Sequence, residues 1–262
     1  MLGFSLITGG IRKAPKVLVL ILLFISVFIL SFLLLGGYET SDTYSSIFLI
    51  KYQFNQSNPI YPLIQNSFSN SNTTSESYDE ITVKANYLYV CLGLNETINC
   101  QSRSNIYNYQ NLTNVQLYTA SSSTSSNSIN PIQIAAEFTN GVIHPYLLIL
   151  TIILAIILFL TILYNGIPGM PFKYHLTKFN IGLSLISTLI SGLTSIWGHI
   201  ASKSGKELVE MASMNIIEAH IGKKAAALHW TPFSFLCIVS IGLIISYIKQ
   251  VDEIIETYDP KV

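Results

Sequence analysis

The sequence predicts an all-α four-helix transmembrane bundle carrying a small extracellular antiparallel β-sheet. Four long apolar runs lack charge, one long polar loop separates the first two, and β-branched and aromatic clusters gather in that loop. Of 262 residues, 50% are hydrophobic and 11% charged, whereas a soluble domain carries about 25% charged residues. Such a chain takes lipid as its solvent. Fourteen Lys and Arg balance fourteen Asp and Glu, so net charge makes no case for nucleic acid, which requires clustered cations to displace counterions from phosphate.

The first run, residues 17–36, is long enough at about 1.5 Å per residue to cross a hydrocarbon core of about 30 Å. Arg12, Lys13 and Lys16 precede it and Gly36-Gly37 ends it, which is also the outline of a cleaved signal. The run exceeds the usual signal core of about 7–15 residues, so it is expected to stay as an anchor. Runs 146–164, 179–200 and 232–248 are equally free of Asp, Glu, Lys and Arg and are expected to be the second, third and fourth spans. Asn165-Gly166 with Pro168 and Pro171 makes 165–178 a tight turn, so the second and third spans are expected to be antiparallel neighbours.

Basic residues beside the spans set orientation, because Lys and Arg are retained on the cytosolic side. Arg12, Lys13, Lys16, Lys173, Lys178 and Lys249 flank one side. Residues 1–16 and 249–262 are therefore expected in the cytosol, with 37–145 and 201–231 as outer loops of a multi-pass plasma-membrane protein. Lys203, Lys206, Lys223 and Lys224 oppose this bias. The N-glycosylation sequons at Asn55, Asn72, Asn95 and Asn111 all fall in the first loop and agree with the assignment. That loop is rich in Asn and Ser, so unmodified polar residues are an open alternative at each. Tyr146, Trp197 and Trp230 at outer ends, and Tyr164, Phe172, Tyr174 and Tyr247 at inner ends, read as interfacial anchors. Ser184, Ser187, Ser191, Ser195 and Gly198 form a small-residue stripe for close helix packing within the bundle, and the same pattern leaves a homo-oligomer open.

Loop 37–145 is too long for an ordinary connection. Residues 67–77 and 121–130 are Ser/Asn-rich and expected to be flexible. Segments 46–54 and 81–94 are strand-like, with 115–119 a weaker third; in 81–91 the residues Ile81, Val83, Ala85, Tyr87, Tyr89 and Cys91 share one face. Cys91 and Cys100 lie close in an oxidising compartment, so a disulfide is expected rather than a zinc site, which would need further ligands. Cys237, within the fourth span, reads as a small buried apolar residue. In the second outer loop Leu208, Met211, Ala212 and Asn215 suggest a short amphipathic helix.

The segment Lys84-Ala85-Asn86-Tyr87-Leu88-Tyr89-Val90-Cys91-Leu92, followed by Cys100 on the first outer loop of a four-span chain, resembles the signature of the claudin superfamily. It is most similar to the fungal mating-associated calcium regulator and membrane-fusion family, whose pattern is glycine, two apolar residues, glycine, any residue, Cys, then a second Cys. Tyr87, Leu88, Cys91 and Cys100 match, while Asn86 and Tyr89 stand at the glycine positions. The resemblance implies a claudin-like bundle topped by a sheet, signature cysteines that matter for the outer domain, and a non-enzymatic role in calcium influx and cell fusion during mating. The alternative is a claudin-like organiser of cortical membrane patches or of adhesion.

Glu39, Asp42, Glu76, Asp79, Glu80, Glu96 and Glu137 against Lys51, Lys84 and Arg103 give the first outer loop a formal charge of −4. Scattered carboxylates of this kind do not make the 6–8 oxygen ligands calcium takes. Spans without charge favour a regulator over a pore, so the expected partners are the lipid bilayer and a calcium channel or other membrane proteins. His144, His199 and His229 read as interfacial polar caps. No motif for an enzyme, cofactor or metal is found.

Overall fold

A computed structural model describes residues 2–65, 81–94, 97–105, 130–167 and 173–258. The main helices are α1 (Leu2–Leu34), α2 (Asp42–Ser45), α3 (Pro131–Glu137), α4 (Tyr146–Gly166), α5 (Lys173–Ala212) and α6 (Lys223–Tyr258). The strands are β1 (Ile50–Phe54), β2 (Ile81–Ala85), β3 (Tyr89–Leu94), β4 (Thr97–Ser102) and β5 (Ile217–Ile221). The chain divides into a helical unit (1–31, 146–195 and 228–262) and a sheet unit (32–145 and 196–227).

Among the described residues, four helices contain stretches long and apolar enough to cross a membrane, Lys16–Leu34, Tyr146–Gly166, Tyr174–Ala212 and Lys223–Asp252. Most of their apolar surface is not covered by protein: Phe28, Leu160, Leu189 and Ile241 all stand exposed, as lipid-facing side chains must. The buried seam of the unit is formed by Val19 and Leu23 of α1, Leu158 and Ile162 of α4, and Leu236 and Val239 of α6.

Helix α5 contributes small residues instead. Ser184, Ser187, Ser191 and Ser195 are all buried, and a Cβ on Gly192 would lie 2.9 Å from Cε2 of Phe233 on α6. In lipid, polar groups need an internal partner. Accordingly the Ser187 hydroxyl donates to the Leu183 carbonyl at 2.8 Å and that of Ser195 to the His229 carbonyl of α6 at 3.1 Å, while the Thr188 and Ser240 hydroxyls meet at 2.9 Å. Gly198, one turn beyond Ser195, is buried and accepts from Ser202 at 2.8 Å.

Helix α5 outruns the apolar run 179–200 because Ser, Lys and Glu are tolerated in a solvated helix, and its 40 residues reach about 60 Å. The short amphipathic helix expected in 201–231 is therefore corrected: its residues 208–212 are the last turn of α5, and β5 and the start of α6 fill the rest. Helix α6 begins at Lys223 and keeps Pro232 inside it. Proline there forfeits one backbone bond, and the apolar residues around it preserve the helix.

The sheet runs β4-β3-β2-β1-β5, all antiparallel. Burial alternates along β1, where Ile50, Tyr52 and Phe54 face inward, as a half-buried strand requires. The expected single face over 81–91 is corrected. Asn86 N donates to the Tyr89 carbonyl at 3.0 Å, so the run folds into a hairpin, and past the turn Val90, Cys91 and Leu92 are buried consecutively. Segment 115–119 lies outside the described residues. Strand β5 pairs with β1 from Ile50↔Ile221 to Phe54↔Ile217. Gly222 closes β5 because a Cβ there would sit 1.6 Å from the Phe48 carbonyl oxygen.

Gly192→Val is expected to lower thermal stability in detergent by colliding with Phe233, and Phe233→Leu is expected to return part of the loss. Equal losses in the single and double variants, read from unfolding midpoints, would contradict this seam.

Candidate functional site

The signature residues form the centre of the sheet unit, and their arrangement starts with the end of α1. The last carbonyls of a helix lack intrahelical donors. Here Gly36 N bonds Leu33 O at 3.4 Å, and Gly37 turns left-handed at φ +79, the conformation glycine adopts without a Cβ penalty. The Asn86 side chain lies over Gly36. Buried to 2% exposure, it donates through Nδ2 to Leu33 O at 3.3 Å and to Ile47 O at 3.4 Å. A Cβ on Gly36 would fall 1.8 Å from that nitrogen. Asn86 thus performs two tasks a glycine could not, capping α1 and tying it to the strand that follows Ile47.

The disulfide between Cys91 and Cys100 joins directly opposed residues of β3 and β4. The Cys91 sulfur, which carries no hydrogen, packs 3.7 Å from the Gly37 carbonyl, and Tyr89 meets Tyr38 edge-on at 5.6 Å. Tyr87 is buried, which raises its phenol pKa well above the ordinary range; it is a neutral core group. The turn is held from behind by Arg103, whose N–H donates to the Leu88 carbonyl at 2.8 Å.

Arg103 also organises a π-helical turn, Phe138–Val142, that continues α3. Its guanidinium donates to the Asn140 side-chain oxygen, to the Asn140 carbonyl at 3.1 Å and to the Ile143 carbonyl at 3.3 Å. Trp197 Nε1 takes the Val142 carbonyl at 3.2 Å. Asn130 caps α3 by accepting from Ile132 N at 2.9 Å. None of Gly36, Gly37, Arg103 or the π-turn was singled out for a structural role from sequence; adjacent glycines directly after an apolar run were the one available signal.

Of the sequons, Asn55 is half-buried. Its Nδ2 donates to Asn215 O at 3.1 Å and its Oδ1 accepts from Ser57 N at 3.0 Å. Asn72, Asn95 and Asn111 lie outside the described residues. The histidines do not converge: His144 and His199 are exposed and His229 is buried. Among the described residues no three His, Cys, Asp or Glu side chains gather as a metal site.

Comparison with known proteins decides the family. A model described as "Ca2+ regulator and membrane fusion protein Fig1" matches residues 67–249, which carry the signature hairpin, both cysteines and the last three apolar runs. The chain belongs to the Fig1 family. It is also 35% identical over 269 aligned residues to the Factor-induced gene 1 protein of Saccharomyces cerevisiae, covering 95% of this chain and 89% of that protein. Its four apolar helices and family membership make it a multi-pass membrane protein, and the family is one of calcium regulation and membrane fusion.

Replacing Cys91 and Cys100 together by Ser is expected to destabilise the sheet unit by about 2–3 kcal/mol, seen as a lower melting midpoint that reducing agent no longer changes. An unchanged midpoint would show that the cross-link carries no stability.

Proposed function

We propose that the protein is a non-enzymatic regulator in the plasma membrane, supporting calcium influx and the fusion of mating cells. Family membership across residues 67–249 carries this reading, and the yeast relative's name, Factor-induced gene 1 protein, supports a role under an inducing factor. The buried and half-buried polar groups of α5 support regulation over conduction: Ser187, Thr188 and Ser195 give their hydroxyls to carbonyls and to Ser240. A pore would spend such groups on ions. The partner of a regulator without its own pathway is a calcium channel or another membrane protein.

In this reading both termini are cytosolic and the sheet unit lies outside, where an oxidising compartment keeps Cys91 and Cys100 joined. The sequons Asn55, Asn72, Asn95 and Asn111 then meet the glycosylation machinery. Asn55 carries the constraint that its amide already serves Asn215.

Cells lacking the protein are expected to take up less calcium after pheromone and to fuse less often, and the intact chain to restore both. The same chain should lose apparent mass under endoglycosidase. Unchanged uptake and fusion would remove the functional reading, and a protease-protected, unglycosylated Cys91 loop would remove the orientation.

A further inference from the structure

Arg103 is half-buried and carries a charge that no acid among the described residues answers. A guanidinium has five N–H donors. Three are spent on neutral acceptors: Nε on the Asn140 side-chain oxygen, Nη2 on the Asn140 carbonyl at 3.1 Å and Nη1 on the Ile143 carbonyl at 3.3 Å. One N–H on each terminal nitrogen is left. A cation withdrawn from bulk water in this way favours an anionic acceptor, whose charge-assisted bonds are about twice as strong as neutral ones.

The same residue lines an open pocket of about 510 Å³ in the sheet unit, together with Leu88 of the hairpin turn, Ser102, Ser104 and Asn140 of the π-turn. That volume lies within the range of about 300–1,000 Å³ that small-molecule sites occupy. The Ser102 and Ser104 hydroxyls stand 3.4 Å apart, and Ser104 is exposed, so both can turn their protons to an incoming oxygen. The lining holds no Asp or Glu. A guanidinium with two serine hydroxyls beside it is a donor set for phosphate.

The place of the pocket in the chain names the source of that phosphate. The Ile143 carbonyl held by Arg103 lies three residues before Tyr146, which begins a membrane-spanning helix, and three residues reach at most about 10 Å. The headgroup layer on each side of a bilayer is about 5–7 Å thick. Trp197 gives its Nε1 proton to the Val142 carbonyl at 3.2 Å and stands exposed; tryptophan is a side chain that settles in that layer.

We propose that the Arg103 pocket binds the phosphate group of a phospholipid head, whose anionic oxygens accept the two remaining guanidinium N–H groups and the serine hydroxyls. The head is then held between the hairpin turn and the π-turn, where the chain enters its second span. The inference goes beyond calcium regulation and does not depend on it, nor on which side of the membrane the sheet unit faces.

The test uses the full chain purified in a maltoside detergent, titrated with dioleoylphosphatidylcholine in mixed micelles and followed by hydrogen exchange of peptides holding 102–105 and 138–144. The phospholipid is expected to slow exchange in both peptides saturably, and dioleoylglycerol, with the same chains and no phosphate, to leave it unchanged. Inorganic phosphate and a hexaglutamate peptide complete the set at equal concentration: weaker slowing by both supports the lipid head, and equal or stronger slowing by either overturns it. Ser104→Glu sets a carboxylate beside the guanidinium and should raise the half-saturating concentration of the phospholipid about tenfold, whereas Ser104→Gln, of the same size without the charge, should raise it less than about threefold. Arg103→Gln should abolish the slowing, but it also forfeits the bonds to the π-turn, so the Ser104 pair keeps the test independent of its folding. No saturable slowing by the phospholipid, equal slowing by dioleoylglycerol, or equal losses in Ser104→Glu and Ser104→Gln would overturn the proposal.

Discussion

A membrane helix must dispose of its last carbonyls, and in the sheet unit that requirement is met by one buried amide. Asn86 bonds the carbonyls of Leu33 and Ile47 from a single nitrogen, in a space that exists only because residue 36 is glycine. From this contact the order of the unit follows. The chain leaves α1 through Gly36 and Gly37 and enters β1 after Ile47. The hairpin bearing Asn86 is then fixed against that entry, with Cys91 packed on the Gly37 carbonyl. An acceptor left unpaired in such surroundings costs about 1–3 kcal/mol, so the amide and the two glycines stand or fall together.

The helical unit meets the same constraint differently. Most of its buried polar residues are Ser and Thr, which return their hydroxyls to helix carbonyls and let backbones approach. Interhelical bonds of this type contribute about 0.6–2 kcal/mol each in membranes. The contact between Gly192 and Phe233 shows why the face must be small: an aromatic ring on α6 occupies the place where a side chain on α5 would stand. Asn180 is the exception, buried to 1% exposure with neither amide atom bonded among the described residues.

Much of the architecture was legible because lipid imposes a strong rule: uncharged runs of about 20 residues become spanning helices. Strands β1 and β2 were legible from β-branched and aromatic clustering, and the cysteine pair from its compartment and spacing. Strand β5 was not, since Ile217-Glu218-Ala219-His220-Ile221 is short and acquires its structure from pairing with β1, about 165 residues away in sequence. The hairpin turn was hidden because Ile81 to Cys91 keeps alternating through Asn86, Tyr87 and Leu88; only the backbone bond from Asn86 to Tyr89 breaks the strand. The π-turn depends on tertiary partners, Arg103, Trp197 and Gly205, that no local pattern announces. Asn86 departs from the glycine of the pattern the sequence resembles, and only the contact with Gly36 gives the asparagine its place.

The coupling between Gly36 and Asn86 is the most direct test of this account. In a double-mutant cycle read by unfolding in detergent, Gly36→Ala should be strongly destabilising alone, because its methyl group meets the Asn86 amide, and clearly less so in an Asn86→Gly background. A coupling of about 1 kcal/mol or more is expected for groups in contact. Strict additivity of the two substitutions would contradict the claim that this amide, seated over a glycine, anchors the sheet unit to the end of the first helix.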